Sequence, residues 1–226
     1  MKHSHEWAQF VYAHKGVLAV STPSFRFIVP PEQGVWITPT TVHEVEAITD
    51  LKLTSFYIAS SLLKDLPDNC CVLQVSMFLK SLIIEADKIS QDFEWKGTDG
   101  RLLRLILDRL HGAPTEKLQL PYPRDRRLKG LIKAMQVNPS SNITLKQWGQ
   151  SCGASSRTLT RLFKRDTGLT FIEWKQRLSI QIAISQLSIG VSVANVSLNL
   201  GYQSTSSFIY MFRQNTGVTP SFYYCS

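Results

Sequence analysis

Residues 145–170 read LKQWGQSCGASSRTLTRLFKRDTGLT, and residues 193–219 read VANVSLNLGYQSTSSFIYMFRQNTGVT. The second stretch is the first written again. Gly153 pairs with Gly201 at an offset of 48. Beyond the glycine the offset is 49, and at that spacing Leu159 matches Phe208, Leu162 matches Met211, Phe163 matches Phe212, Gly168 matches Gly217 and Thr170 matches Thr219. One residue has therefore been added at the second turn.

Within each copy, Leu145, Trp148 and Cys152, or Val193, Val196 and Leu200, recur three and four apart and predict a short helix with one buried face. A glycine turn follows, then a second helix whose Leu159, Leu162 and Phe163, or Phe208, Met211 and Phe212, face a core. The residues between them must point outward. They are Ser156, Arg157, Thr160, Arg161, Lys164 and Arg165 in the first copy, and Ser204, Thr205, Ser206, Tyr210 and Arg213 in the second. Two helices joined by a short glycine-containing turn form a helix-turn-helix, whose second helix enters the DNA major groove and reads base edges from its N-terminal half. Arg, Ser and Thr suit that task, since they offer donors or acceptors to the base edges.

Between the copies runs TFIEWKQRLSIQIAISQLS, opened by Thr170 and Glu173 at capping-box spacing and free of Gly and Pro until Gly190. It predicts one long helix, roughly 28 Å at 1.5 Å per residue. That length compares with the ~34 Å separating successive major-groove faces on one side of B-DNA. Phe171, Trp174, Leu178 and Ile182 form one apolar stripe and Ile180, Ala183, Ile184 and Leu187 another, as a rod packed on both sides requires. Thr219 and Pro220 signal one last short helix.

Charge is segregated along the chain. From Arg124 onward there are 13 Lys and Arg against 3 Asp and Glu, whereas residues 1–123 carry 12 against 14. A net +10 within about a hundred residues is the electrostatic footprint of phosphate-backbone binding.

The C-terminal hundred residues resemble the DNA-binding domain of the AraC/XylS family of transcription regulators. The resemblance rests on Ile189, GYQSTSSF from Gly201, MFRQNTG from Met211, and Gly217, Thr219, Pro220 and Tyr223 in the second half. In the first half it rests on RTLTRLF from Arg157, Gly168, Trp174 and Arg177. It implies an all-α domain whose two helix-turn-helix units, joined by a long helix, occupy adjacent grooves. Arg157, Thr160 and Arg161 then face bases in one groove, and Gln203, Ser204, Thr205 and Ser206 approach the other. Tyr210 stands where the family commonly carries Arg, which puts more of the specificity on the first reading helix.

Before Asp87 the pattern changes to short apolar or alternating runs at 10–12, 17–20, 25–29, 35–38 and 51–58, with Pro23, Pro30, Pro31 and Pro39 at their ends. These read as strands of a small barrel or double-sheet roll. HSHEWAQFVYAHKGVL from His3 and VPPEQGVWITPTTVHEVE from Val29 resemble the cupin-like effector domain at the front of many AraC/XylS members. The resemblance implies an α+β multidomain chain with a cupin-like N-terminal β-barrel or roll, followed by helices and the all-α module. Set against such domains, the chain starts at the histidine pair with one or more N-terminal strands missing. The barrel is then open and its pocket incomplete.

His3, His5 and His43 invite a metal reading, since neutral imidazoles suit Zn, Fe, Ni or Cu. Gln9, however, stands near where the cupin pattern expects a carboxylate. The expectation carried forward has no metal and no cofactor, with His3, His5, Trp7, Tyr12, Trp36 and His43 lining a small-molecule effector pocket. The other readings are a metal site formed by the three histidines, and simple packing of histidines and aromatics in a strand core.

Residues 73–89 and 99–111 carry helical apolar periodicity and predict two helices, available either to their own barrel or to a symmetric homodimer. GAPTEKLQLPYPRDRR from Gly112, with three prolines, reads as a linker, with Arg124, Arg126 and Arg127 set to touch phosphate. The predicted domains are 1–111 for effector binding and dimerisation, 112–124 for the linker and 125–226 for DNA binding. Cys70, Cys71, Cys152 and Cys225 show neither disulfide-framework nor zinc spacing, and Cys152 reads as a small buried hydrophobe. No run of about 18 apolar residues, signal-peptide core, GxGxxG, P-loop or nucleophile constellation is present.

The reading is a cytoplasmic, sequence-specific, double-stranded DNA-binding transcription regulator and not an enzyme. Its expected partners are promoter DNA, a small-molecule effector, a second copy of itself and, for an activator, RNA polymerase, with no membrane. Two alternatives remain: a metal-dependent cupin-type enzyme with a basic nucleic-acid-binding tail, and a nonspecific nucleic-acid module.

Overall fold

The computed structural model describes residues 2–90, 92–115 and 119–224. Cys225 and part of the expected linker, residues 116–118, lie outside them. The chain divides into two compact units, Met1–Val20 with Val29–Lys117, and Ser21–Ile28 with Leu118–Ser226.

In the first unit the central strand is β1 (Ala8–Lys15), flanked antiparallel by β4 (Gln33–Ile37) and β6 (Lys52–Ile58). Side chains alternate across a pleated strand, so directly opposed residues share a face. Phe10 is opposed by Trp36 and by Phe56. This face buries Phe10, Tyr12 and Trp36 against Leu79 and Ile83 of α1 (Met77–Ala86) and Ile106 and Leu110 of α2 (Thr98–His111). Trp36 is wholly enclosed, and its indole Nε1 donates to the Pro67 carbonyl at 2.8 Å. Such a partner is what a buried indole N–H requires.

The expected cupin-like barrel or roll does not form. The strands make two open sheets, in the orders β6-β1-β4-β7 and β5-β2-β3-β8, with β2 at Leu18–Ser21, β3 at Phe25–Val29, β5 at Glu44–Ala47, β7 at Cys71–Gln74 and β8 at Leu120–Pro121. A closed barrel gives every strand two neighbours, and here each sheet ends in two edge strands. The edges are handled in other ways. Gln74 N of β7 donates to the Pro114 carbonyl, so non-strand chain covers that edge. Lys52 of β6 and Glu44 and Glu46 of β5 place charge on two others.

The helix expected over 73–89 is also shorter than its apolar pattern. Residues 71–74 are extended, paired with Gln33–Trp36, and bury Cys71, Val72 and Leu73 in succession. The helix starts only at Met77, where the Ser76 side chain accepts from the Leu79 amide.

The second unit is helical: α3 (Arg126–Val137), α4 (Leu145–Cys152), α5 (Ser156–Thr167), α6 (Phe171–Ser188), α7 (Val193–Asn199), α8 (Thr205–Thr216) and a final 3-10 turn over Pro220–Tyr223. α3 was not anticipated as a helix. It buries Leu128, Leu131, Ile132 and Met135 against Leu159, Leu162, Phe163, Trp174 and Leu178. α6 is one unbroken rod of 18 residues, about 27 Å long. Its Thr170 and Glu173 close both bonds of a capping box, at 2.7 and 3.2 Å. β3 and β8 pair along α6, with Trp174 Nε1 donating to the Pro121 carbonyl at 2.7 Å and Gln181 Nε2 to the Arg26 carbonyl at 3.1 Å.

Candidate nucleic-acid interface

α5 and α8, the second helices of the two repeated units, are each built by three local devices. First, a glycine ends the helix before it: Gly153 adopts φ +66° after α4, and Gly201 adopts φ +76° one residue past the end cap of α7. Left-handed backbone is accessible to glycine without a Cβ clash. Second, a serine opens the new helix. Ser155 accepts from the Thr158 amide at 3.1 Å, and Ser204 accepts from the Ser207 amide at 3.2 Å. Gly153 precedes its serine by two residues and Gly201 by three, which locates the inserted residue within the second turn. Third, Gly168 and Gly217, again left-handed at φ +71° and +77°, close α5 and α8.

The two caps share the 49-residue offset, so α5 and α8 compare position by position. Leu159, Leu162 and Phe163, and Phe208, Met211 and Phe212, are buried. Ser156, Arg157, Thr160, Arg161, Lys164 and Arg165 are exposed, as are Gln203, Ser204, Ser206, Tyr210 and Arg213, while Thr205 is half-buried. The outward set is therefore brought to the surface of two helices. Some of its members also have local duties. Ser204 is the cap of α8, Thr160 Oγ1 donates back to the Ser156 carbonyl, and Arg165 is ion-paired to Asp166 at 2.8 Å. Among the described residues, the side chains of Arg157 and Arg161 make no hydrogen bond or ion pair, although both lie within α5. Where α5 has Arg157 and Arg161, α8 has Ser206 and Tyr210. The first helix carries most of the charge.

All three acidic groups of the second unit serve its structure. Asp125 caps α3 and takes two bonds from the Arg127 guanidinium, at 3.0 and 2.8 Å, which hold its carboxyl at about 2. Asp166 accepts from the amides of Arg124 and Asp125, both at 2.9 Å. Glu173 closes the capping box of α6. Of the three arginines expected on phosphate, Arg127 is thus engaged by Asp125, while Arg124, Arg126 and Arg127 are all exposed. Cys152 is half-buried, not fully enclosed.

The six residues expected to line an effector pocket separate onto two faces. His3, His5, Trp7 and His43 gather in one group, with His5 stacked on Trp7 at 5.2 Å between ring centroids. Tyr12 and Trp36 lie in the core on the α1 and α2 side of the sheet, where burial pushes the Tyr12 hydroxyl up to about 12. Pleat parity parts them, because Tyr12 falls on the even positions of β1 and Gln9, which faces His5, on the odd ones. Burial also lowers the pKa of His43, against the raising effect of its bond to the Thr41 carbonyl. A cavity of about 580 Å3 lies elsewhere in this unit, between β6 and the two helices. Phe56, Phe93, Trp95, Leu103, Leu107 and Asp87 are among its lining residues.

A model of the AraC-like ligand binding domain matches residues 1–113, and one of a helix-turn-helix domain matches residues 148–224. The HTH-type transcriptional regulator NimR of Escherichia coli is 29% identical over 221 residues, covering 98% of this chain and 81% of that protein. The HTH-type transcriptional regulator RipA of Corynebacterium glutamicum is 33% identical over 120 residues, 53% of this chain and 34% of its own. Among solved structures, ToxT from Vibrio cholerae aligns with a TM-score of 0.43 at 10% identity, covering 97% of this chain and 90% of that one. No helix among the described residues is long and apolar enough to cross a membrane. The chain belongs to the AraC/XylS family of transcription regulators, with an AraC-like ligand-binding domain ahead of a helix-turn-helix region that binds DNA in a sequence-specific way.

Proposed function

We propose that α5 and α8 enter adjacent major grooves of promoter DNA, with α6 as the spacer that sets their separation. Arg157, Thr160 and Arg161 read bases in one groove, and Gln203, Ser204, Thr205 and Ser206 approach the other. Lys164, Arg165, Tyr210 and Arg213 lie further along the two helices and meet the phosphate backbone or the groove wall. The observation that carries this reading is the pair of capped helices whose outward residues are basic or hydroxylated while every nearby carboxylate is tied into the fold. Binding to a promoter fragment and to a scrambled duplex at one fixed salt concentration tests it. A preference of at least 1000-fold for the promoter is expected. Equal affinities would leave only electrostatic attraction and would favour a nonspecific module.

The functional division we propose is effector binding and dimerisation in 1–111, a linker over 112–124 and DNA binding in 125–226. An organic effector is best accommodated by the cavity beside β6, whose volume suits a drug-sized molecule and whose wall is mostly apolar with Thr54 and Asp87 as polar points. The outer face of α1, where Met77, Phe78 and Ile84 are exposed, is the surface for a second copy. The protein acts in the cytoplasm, and as an activator it would engage RNA polymerase once seated on the promoter.

A further inference from the structure

His3 and His43 exchange both backbone hydrogen bonds, at 3.0 and 2.9 Å, and so form an antiparallel bridge. Directly opposed residues project their side chains to the same face. His5, two residues on, falls on that face as well. The ring of His43 lies 4.3 Å from that of His3 and 5.0 Å from that of His5, centroid to centroid. One nitrogen from each of the three rings lies within 4.8 Å of the other two.

Hydrogen bonding fixes what two of these nitrogens offer. Nδ1 of His5 meets the Trp7 carbonyl at 2.7 Å, and Nδ1 of His43 meets the Thr41 carbonyl at 2.9 Å. A carbonyl only accepts, so both Nδ1 atoms carry the proton, and in the neutral rings both Nε2 atoms present a lone pair. The His43 side chain is fully buried and its Nε2 has no hydrogen-bond partner. Buried acceptors of this kind are rare because leaving them unmatched costs stability. Nε2 of His5 faces Oε1 of Gln9 at 3.2 Å, while the Gln9 amide nitrogen donates to Ser55 Oγ. With the proton of His5 on Nδ1 and the Gln9 amide so oriented, two acceptors oppose each other there. A cation placed among these atoms satisfies both mismatches.

We propose that His3, His5 and His43 form a binding site for a divalent transition-metal cation, with Gln9 Oε1 alongside as a weak fourth donor. The donor set selects the ion class. Three neutral imidazoles without a carboxylate suit Zn2+, Ni2+ or Cu2+ and do not suit Mg2+ or Ca2+. The carbonyls that hold Nδ1 of His5 and His43 are the outer shell that orients metal-binding imidazoles. Zinc at about 2.0–2.1 Å from each nitrogen brings tetrahedral ligands to roughly 3.4 Å apart. The remaining closure falls to His3, the exposed member of the three. From the sequence, Gln9 argued against a metal; the orphaned Nε2 of His43 is the observation that reverses that weighting. The bound ion would clamp the segment ahead of β1 to the segment ahead of β5, an input to the first unit that does not rest on the assignment of the reading helices.

The test is calorimetric titration of the untagged full chain, stripped by chelator, with Zn2+ and with Mg2+ as a control, together with the thermal midpoint at each stage. One equivalent of Zn2+ should bind and raise the midpoint, since an ion held by the folded state alone stabilises it. Mg2+ should do neither. His3→Ala and His5→Ala, neither in the hydrophobic core, should each weaken Zn2+ binding at least tenfold with the circular dichroism unchanged. The double change His14→Ala with His111→Ala should leave it intact. The proposal is overturned by absent stoichiometric Zn2+ binding, by binding that survives His5→Ala, or by an equal loss in the His14 and His111 control.

Discussion

In the proposed interface, the contrast between Arg161 and its counterpart Tyr210 sets the balance between α5 and α8. Both are exposed at equivalent positions, yet only the arginine can make a bidentate pair with guanine. Arg161→Ala is expected to reduce discrimination between specific and random duplexes by ~1–3 kcal/mol. Lys164→Ala should weaken both alike, with the salt slope of binding shallower by about one unit. Equal loss on both duplexes for Arg161→Ala, measured by competition binding, would remove it from base reading. Asp125 carries a second prediction at this scale. Its carboxyl is depressed to about 2 by the side-chain bonds from Arg127, so its contribution to stability is complete above the ordinary aspartate range near pH ~4. It is lost as pH falls from there toward about 2. Asp125→Asn keeps the helix cap and removes the ion pair. Denaturant unfolding of the variant from pH 5 to pH 2 should therefore show a weaker acid dependence than the parent chain, and parallel curves would show that the pair contributes nothing.

Among the elements, the two turns look alike in sequence and differ in surroundings. A Cβ at Gly153 would meet nothing within 4 Å, whereas one at Gly201 would stand 2.9 Å from the Ser140 carbonyl oxygen. Gly153→Ala should cost about 1–2 kcal/mol, the price of left-handed backbone alone. Gly201→Ala should cost more, because backbone must also shift; unfolding midpoints that rank the pair the other way would contradict this. Periodicity made α4 to α8 legible, since three- and four-residue spacing, serine caps and glycine stops all agree there. α3 had the same spacing at Leu128, Leu131, Ile132 and Met135, but its first turn lies in the proline- and arginine-rich run that reads as a linker. β7 was misread because Leu73 and Val75 extend a helical pattern backwards, and only pairing with β4 separates strand from helix. An open barrel was expected from the likeness to cupin-like domains, but two separate open sheets were not legible, because that depends on which strands become neighbours. For the same reason the effector aromatics could be gathered by type, although pleat parity separates Tyr12 and Trp36 from the histidines.

At the scale of the whole molecule, basic charge and the proposed DNA-reading helices coincide in one unit, while the cavity beside β6 and the histidine group belong to the other. In the proposed reading, that division separates input from output. In the proposed complex two helices, held apart by an unbroken α6, read two successive grooves of one duplex. Hydroxyl-radical and methylation footprinting of the full chain on its promoter reports the number and spacing of those grooves. Two protected major-groove segments are expected on one face of the helix, centred roughly 10 base pairs apart. Arg161→Ala should weaken one of them and Ser206→Ala the other. A single protected segment, or two that weaken together whichever helix is altered, would contradict it.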